Sequence, residues 1–252
     1  MGIVNGHDLD LMRESGRIVR KALDEMMAMT VPGVSTKEIE MTGRKVIEKE
    51  GATPSFLGYN GYPAATCVSL NSEVVHGIPS HDRIVKEGDL VSIDVGAFKN
   101  GFHADAADTV VVGLADPRAM LLVRTTYEAR DRGIAAARAG ATLGDVGAVI
   151  QETAESQGFS VVRALVGHGI GRKLHEPPQV PNFGRAGRGM KLTEGLALAI
   201  EPMVNIGGYR VRTLEDNWTI VTIDGSLSAH AEHTLVVCGS EPLVLTGNSG
   251  YH

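Results

Sequence analysis

The sequence predicts an α+β fold built from two similar halves around a pseudo-two-fold axis, and three observations lead there. Lys86-Glu87-Gly88-Asp89-Leu90-Val91-Ser92-Ile93-Asp94 matches Thr193-Glu194-Gly195-Leu196-Ala197-Leu198-Ala199-Ile200-Glu201 at an offset of 107 residues. The same offset relates Gly33-Val34-Ser35, opening a segment that ends at Glu50-Gly51, to Gly140-Ala141-Thr142, opening one that ends at Gln157-Gly158. Two separate blocks in one register are poorly explained by chance, and a duplicated half folded on its copy sets equivalent strands about a shared axis. Third, segments of helical period are segregated from segments carrying strand and hairpin signals, the pattern of α+β.

From Asp8 to Met29 the apolar residues Leu11, Met12, Ile18, Val19, Ala22, Leu23, Met26 and Met27 recur at three and four, an amphipathic stripe that Pro32-Gly33 ends. Ser35 with Glu38 forms a capping box, and Ile39, Val46 and Ile47 carry a second helix to Gly51. Strand signals follow at Leu90 to Val95 and Thr109 to Val112. Asn100-Gly101 is a hairpin turn, which makes the strands bearing Asp94 and Asp105 antiparallel neighbours. In the second half Pro117 suits the first turn of a helix running to about Ala139, and Thr142 opens another that contains Val146, Val149 and Ile150. Leu196 to Ile200, Trp218 to Ile223 and Thr234 to Val237 complete the expected strands. We read one catalytic domain over residues 1–252, its halves spanning roughly 8–115 and 116–240.

The repeat also pairs the acids. Asp94 is equivalent to Glu201, and His103-Ala104-Asp105, leading into Thr109-Val110-Val111-Val112, matches His230-Ala231-Glu232, leading into Thr234-Leu235-Val236-Val237. The offset slips from 107 to 127 between Glu201 and Glu232, so a longer hairpin overhanging the site is expected there. Taken singly, Asp94 and Asp105 read as turn residues. Glu201 differs, because it ends an apolar run and precedes Pro202 where a buried strand emerges, an unfavourable place for an unpaired acid. His168 lies between Gly167 and Gly169, which allow close backbone approach. Asp94, Asp105, His168, Glu201 and Glu232 together form a set of mostly hard ligands suited to two divalent metal ions, whose charge balances four carboxylates. Fe, Mn, Co or Zn fits such a set. A water held between two ions loses a proton near neutral pH, so the expected reaction class is metal-assisted hydrolysis.

Composition narrows the field. Of the 252 residues, 43% are hydrophobic and 21% charged, with a formal net charge of -6, an ordinary globular balance that offers no basic run for nucleic acid. Two cysteines, Cys67 and Cys238, are too few for a disulfide framework and point to a reducing compartment, the cytoplasm. Neither a secretory leader nor a membrane span is expected from the sequence.

Val75-His76-Gly77-Ile78-Pro79, Ile93-Asp94-Val95, Gly101-Phe102-His103-Ala104-Asp105, Gly167-His168-Gly169-Ile170-Gly171, Leu174-His175-Glu176, Ile200-Glu201-Pro202-Met203-Val204 and Ala231-Glu232-His233-Thr234 resemble the methionine aminopeptidase family from the first helix to the last strand. The resemblance implies a pita-bread fold and a dinuclear metal centre that removes initiator methionine from nascent polypeptides. It implies that Asp94 chelates one metal, that Asp105 and Glu232 bridge, and that His168 and Glu201 complete the other. Glu201, His76 and His175 are the implied catalytic residues, the two histidines contacting the substrate's peptide group and the tetrahedral intermediate. A neutral imidazole can donate to a developing oxyanion without competing for metal.

The resemblance further points to Phe56, Tyr59, Tyr62, Cys67, Leu174 and Trp218 as the methionine pocket, joined by His76 and His175. Aromatic and sulfur-bearing walls suit a polarizable thioether. Gly96 stands where many bacterial relatives carry threonine, and Leu174 where an aromatic is frequent. The short spacing from His168 to Glu201 resembles the minimal type I form of the family. A monomer and an association with the ribosome are further expectations, and Met1-Gly2 has the small second residue such an enzyme accepts, so the chain is expected to begin at Gly2 in cells. Two alternatives remain at this point: a prolidase-like or Xaa-Pro aminopeptidase with the same ligands, and a noncatalytic pita-bread protein that binds a partner.

Overall fold

The structure is a computed structural model that describes residues 6–247, so the expected processing between Met1 and Gly2 lies outside the described residues. The first half comprises α1 (Gly6–Met29), α2 (Thr36–Lys49), β1 (Thr53–Pro54), β2 (Thr66–Leu70), β3 (Glu73–Val75), β4 (Leu90–Lys99) and β5 (Phe102–Val111). The second comprises α3 (Pro117–Ala136), α4 (Leu143–Ser156), β6 (Ser160–Val161), β7 (Gly167–Gly169), β8 (Glu176–Val180), β9 (Ala197–Ile200), β10 (Met203–Asn205), β11 (Val211–Thr213), β12 (Ile220–Thr222), β13 (Ser228–His230), β14 (Glu232–Val236) and β15 (Leu243–Val244). A 3₁₀ turn over Tyr59–Gly61 interrupts the loop before β2. Among the described residues, no helix is long and apolar enough to cross a membrane.

The apolar stripe of α1 is buried as its spacing requires. Ile18, Val19, Ala22, Leu23 and Met26 join Ile39 and Ile47 of α2 against Val91, Ile93 and Val95 of β4. Each fully buried Ile, Leu or Met adds roughly 1.5 to 3 kcal/mol of transfer free energy. α3 and α4 repeat this in the second half through Leu122, Val146 and Ile150 packed near Leu198 and Ile200.

Backbone contacts reproduce the repeat. Gly33 N–H donates to Val85 O and Gly140 N–H to Leu192 O, both at 2.9 Å, while Val85 N–H returns to Val34 O and Leu192 N–H to Ala141 O at 2.9 and 2.7 Å. The isolated bridges Ser35↔Ile84 and Thr142↔Lys191 stand at the same offset. Both capping boxes form, Ser35 with Glu38 and Thr142 with Asp145.

In the main sheet the strand order is β1-β4-β5-β14-β9-β7-β8, with every pairing antiparallel. The equivalent strands β4 and β9 therefore flank the equivalent strands β5 and β14. Thr109 and Thr234 staple the central pair: Thr109 Oγ1 donates to His230 O at 2.8 Å and Thr234 Oγ1 lies 2.8 Å from Asp105 O, while each accepts the opposing backbone N–H at 3.0 Å.

Three expectations are corrected in extent. β4 and β5 run on to meet at Asn100-Gly101, longer than the segments Leu90 to Val95 and Thr109 to Val112. α3 stops at Ala136, three residues before Ala139. The strand read from Trp218 begins only at Ile220, because Asp216 accepts from the backbone N–H of Trp218 and Thr219 and closes a turn there. The extra length between Glu201 and Glu232 holds a β11–β12 hairpin, which pairs with β3.

Candidate active site

Strand register explains how the acids converge. Residues directly opposite each other in a sheet share a face. One row runs Cys67↔Asp94↔Ala107↔Glu232 across β2, β4, β5 and β14. The neighbouring row holds Gly96↔Asp105 on one side and Thr234↔Ala199↔His168 on the other, closed by the Thr234–Asp105 contact. Glu201 follows Ile200, whose partner is His233, and so stands beside Glu232. Pro202 cannot donate to the ladder and ends that pairing.

Asp105, His168 and Glu232 each offer a ligand atom within 4.8 Å of one another. His168 Nε2 lies 3.5 Å from Asp105 Oδ2 and 3.5 Å from Glu201 Oε1. Asp94 lines the same cavity but falls outside that tightest group. The cavity measures about 580 Å³ and is also lined by Phe56, Tyr59, Tyr62, Cys67, His76, Leu174, His175 and Trp218. All thirteen residues anticipated from the sequence thus meet at one opening.

Its electrostatics call for cations. Burial pushes the Asp94, Glu201 and Glu232 carboxyls well above the usual range, and the neighbouring acids push them further. Asp105 rises to about 6 through burial, restrained by the Thr234 hydroxyl 2.9 Å from its Oδ1. No lysine or arginine lines the cavity among the described residues, and Asp94 Oδ1 is buried without a hydrogen-bond partner. Burial lowers His168 to about 4, so its ring is neutral. With Nδ1 3.0 Å from Gly169 O, the ring proton is on Nδ1 and the Nε2 lone pair faces Asp105 and Glu201, the orientation a metal-binding imidazole needs. The donor set fits divalent cations, which would replace the protons these acids otherwise retain.

The pocket walls are built from several elements. Tyr62 and Trp218 meet edge to face with centroids 5.1 Å apart, and the Tyr62 hydroxyl donates to Gly77 O at 3.1 Å. Cys67 is a neutral thiol, its titration pushed up by burial and by Asp94 opposite it. His76 holds φ 61, a conformation costing a non-glycine residue roughly 1 to 3 kcal/mol, which marks a position constrained by its surroundings. Gly96 has a packing reason: a Cβ there would lie 2.7 Å from Phe56 Cε1 and 3.0 Å from Ser55 Cβ. The missing side chain admits the Phe56 ring. Leu174 is buried and packs with Ile170 and Phe102, near Phe56 and Tyr59.

Three residues near the acids were not anticipated. Thr234 contacts Asp105, and Asn182 Nδ2 donates to Glu201 O at 3.0 Å. His230 is buried, with Nε2 4.0 Å from Glu201 Oε2 and no hydrogen-bond partner. Its place in the repeat, where His230-Ala231-Glu232 matches His103-Ala104-Asp105, is the sequence signal that sets it beside Glu232.

A set of antiparallel strands that gathers buried acids and a neutral imidazole in one cavity defines a class, the metal-dependent hydrolases. The model of metallopeptidase family M24 matches residues 10–238, and the chain belongs to that family. A methionine aminopeptidase of Clostridium perfringens is 50% identical over 96% of this chain and 97% of its own length. The crystal structure of methionine aminopeptidase from Thermotoga maritima superimposes with a TM-score of 0.96 at 46% identity, covering 98% of this chain and all of its own. A prolidase from Pyrococcus furiosus, 22% identical with a TM-score of 0.78, covers 98% of this chain and 66% of its own and shares the pita-bread fold.

Proposed function

We propose that the chain is a metal-dependent aminopeptidase that removes the initiator methionine from nascent polypeptides when the second residue is small. The observation that carries this reading is the meeting, in one cavity, of four buried acids and a neutral imidazole with aromatic and sulfur-bearing walls. A relative named for the same activity supports it at 50% identity and nearly full length.

Asp94, Asp105, His168, Glu201 and Glu232 would hold two divalent ions, with Co, Mn, Fe and Zn as the candidates. Bound there, the ions supply Lewis acidity, polarising the scissile carbonyl and acidifying water. His76 and His175, both lining the cavity, donate to the peptide group and to the oxyanion that develops on the carbonyl oxygen. Glu201 accepts the proton of the attacking water and returns it to the leaving amine nitrogen as the C–N bond breaks. Phe56, Tyr59, Tyr62, Cys67, Leu174 and Trp218 receive the methionine side chain.

One chain supplies every group in this scheme, so a single domain acting as a monomer suffices. The substrate arises at the ribosome, and we place the reaction there, in the cytoplasm. The test is hydrolysis of Met-Ala-Ser and Met-Leu-Ser by metal-stripped protein reloaded separately with each of the four metals. Turnover of the first peptide with at least one metal, and little of the second, is expected. No turnover with any metal contradicts the reading.

A further inference from the structure

We propose that Tyr59 is a positioning residue, whose phenolic hydroxyl donates to His175 Nδ1 and holds that imidazole in the tautomer that presents Nε2–H to the reacting carbonyl. The inference rests on the function proposed above and gives Tyr59 a task beyond lining the methionine pocket.

The Tyr59 hydroxyl lies 2.7 Å from His175 Nδ1. No other hydrogen bond to the His175 side chain occurs among the described residues, although the residue sits on an exposed loop between β7 and β8. Its ring is wedged between two others: Tyr59 edge to face with centroids 5.1 Å apart, and His168 edge to face at 4.2 Å. Tyr59 is itself held in place. It opens the 3₁₀ turn Tyr59–Gly61, entered through Gly58 at φ 79 and closed by Gly58 N–H donating to Tyr62 O at 2.9 Å.

A neutral imidazole carries one ring proton, and a phenol can either donate or accept. If Nδ1 held the proton and donated to Tyr59, Nε2 would offer only a lone pair across the ring, useless to a carbonyl oxygen or an oxyanion. With the phenol as donor, Nδ1 accepts and Nε2 keeps the proton needed for catalysis. Rim exposure otherwise leaves both tautomers and a turned ring accessible, so the hydroxyl fixes both proton and orientation.

Tyr59→Phe keeps the aromatic wall and deletes the hydroxyl. For the metal-loaded enzyme on Met-Ala-Ser, kcat should fall roughly tenfold, the range of one lost hydrogen bond, while KM and metal content stay unchanged. In a His175→Ala background the same substitution should cost nothing more, because Tyr59 acts through that ring. Long-range ¹H–¹⁵N spectra of zinc-loaded, ¹⁵N-histidine protein should show His175 as the Nε2–H tautomer, with the variant shifting toward a mixture. An unchanged kcat in Tyr59→Phe, an equal loss in both backgrounds, or an Nδ1–H signature in the parent protein overturns the inference. Failure of the parent protein to cleave methionine peptides would sink the functional reading instead, and the spectra would still report on the hydrogen bond.

Discussion

Asp94 and Glu232 both stand directly opposite Ala107, one on each side of it in the sheet. Adjacent strands lie about 4.8 Å apart, so the two acids flank a single methyl group with a gap of about two strand spacings between their backbones. Both acids line the cavity, and the Ala107 methyl stands in the gap between them on the same face of the sheet. Ala107→Leu should fill it and abolish metal binding, whereas Ala107→Gly should retain it. Metal content per chain, measured by elemental analysis after gel filtration, decides the matter, and a fully loaded leucine variant would mean that the metals do not sit between Asp94 and Glu232.

Glu232 adjoins both Asp105 and Glu201, and burial and those acids raise its proton affinity. Glu232→Ala should abolish turnover of Met-Ala-Ser and lower metal occupancy, since the residue would serve both ions. Two metals retained with near-normal activity would remove Glu232 from the ligand set.

Metal loading should release protons. A carboxyl whose folded pKa is raised stabilises the metal-free fold fully below its unfolded value of about 4, and that contribution is lost as pH rises through the folded value, about 6 for Asp105. His168, lowered to about 4, has the opposite sign: its contribution is complete above the unfolded value of about 6.5 and is lost as pH falls toward 4. Cations displace the protons on the acids, so titration near neutral pH in buffers of different ionisation enthalpy should show net proton release and an affinity that rises with pH. Net proton uptake would mean that the acids are ionised before metal arrives.

The ease of reading this site from sequence varied with the physics of each part. The Asp94–Asp105 pairing was legible because Asn100 and Gly101 take φ 52 and 87, the positive values a two-residue hairpin turn demands and their side chains permit. The paired halves were legible because capping and strand chemistry repeat at one offset. β7 was not, since glycine is a poor strand former and the Gly-His-Gly run reads as a turn. Its glycines answer to tertiary neighbours instead: a Cβ at Gly167 would meet the Ala199 carbonyl, and one at Gly169 the Pro177 carbonyl. The fit of Phe56 over Gly96 and the approach of His230 to Glu201 likewise depend on residues distant in the chain, which local periodicity does not register.

On the opposite face of β5, Asp108 binds Arg20 of α1 at 2.8 Å and Arg130 of α3 at 3.0 Å, joining a helix from each half. All three side chains are at most 10% exposed. Asp108→Asn should leave two buried guanidiniums short of a counterion, costing about 3 kcal/mol, toward the lower end for such a loss because Asp24 and Asp131 also contact them. Calorimetry of the metal-free protein should show a midpoint lower by roughly 6 to 12 °C. An unchanged midpoint would mean that this clamp does not join the halves.

The decisive measurement is selectivity: kcat/KM for Met-Gly, Met-Ala, Met-Val, Met-Leu and Met-Arg peptides, alongside norleucine, leucine and Xaa-Pro substrates. Cleavage after methionine should be efficient when the second residue is small and should fail with leucine or arginine there. Norleucine, close to methionine in shape, should remain a substrate at a reduced rate, since such a change in pocket contact costs only about 1 to 3 kcal/mol, and branched leucine should be poor in the first position. Equal cleavage across the series, preference for leucine over methionine at the first position, or efficient cutting of Xaa-Pro peptides regardless of the first side chain would rule out a methionine-specific enzyme.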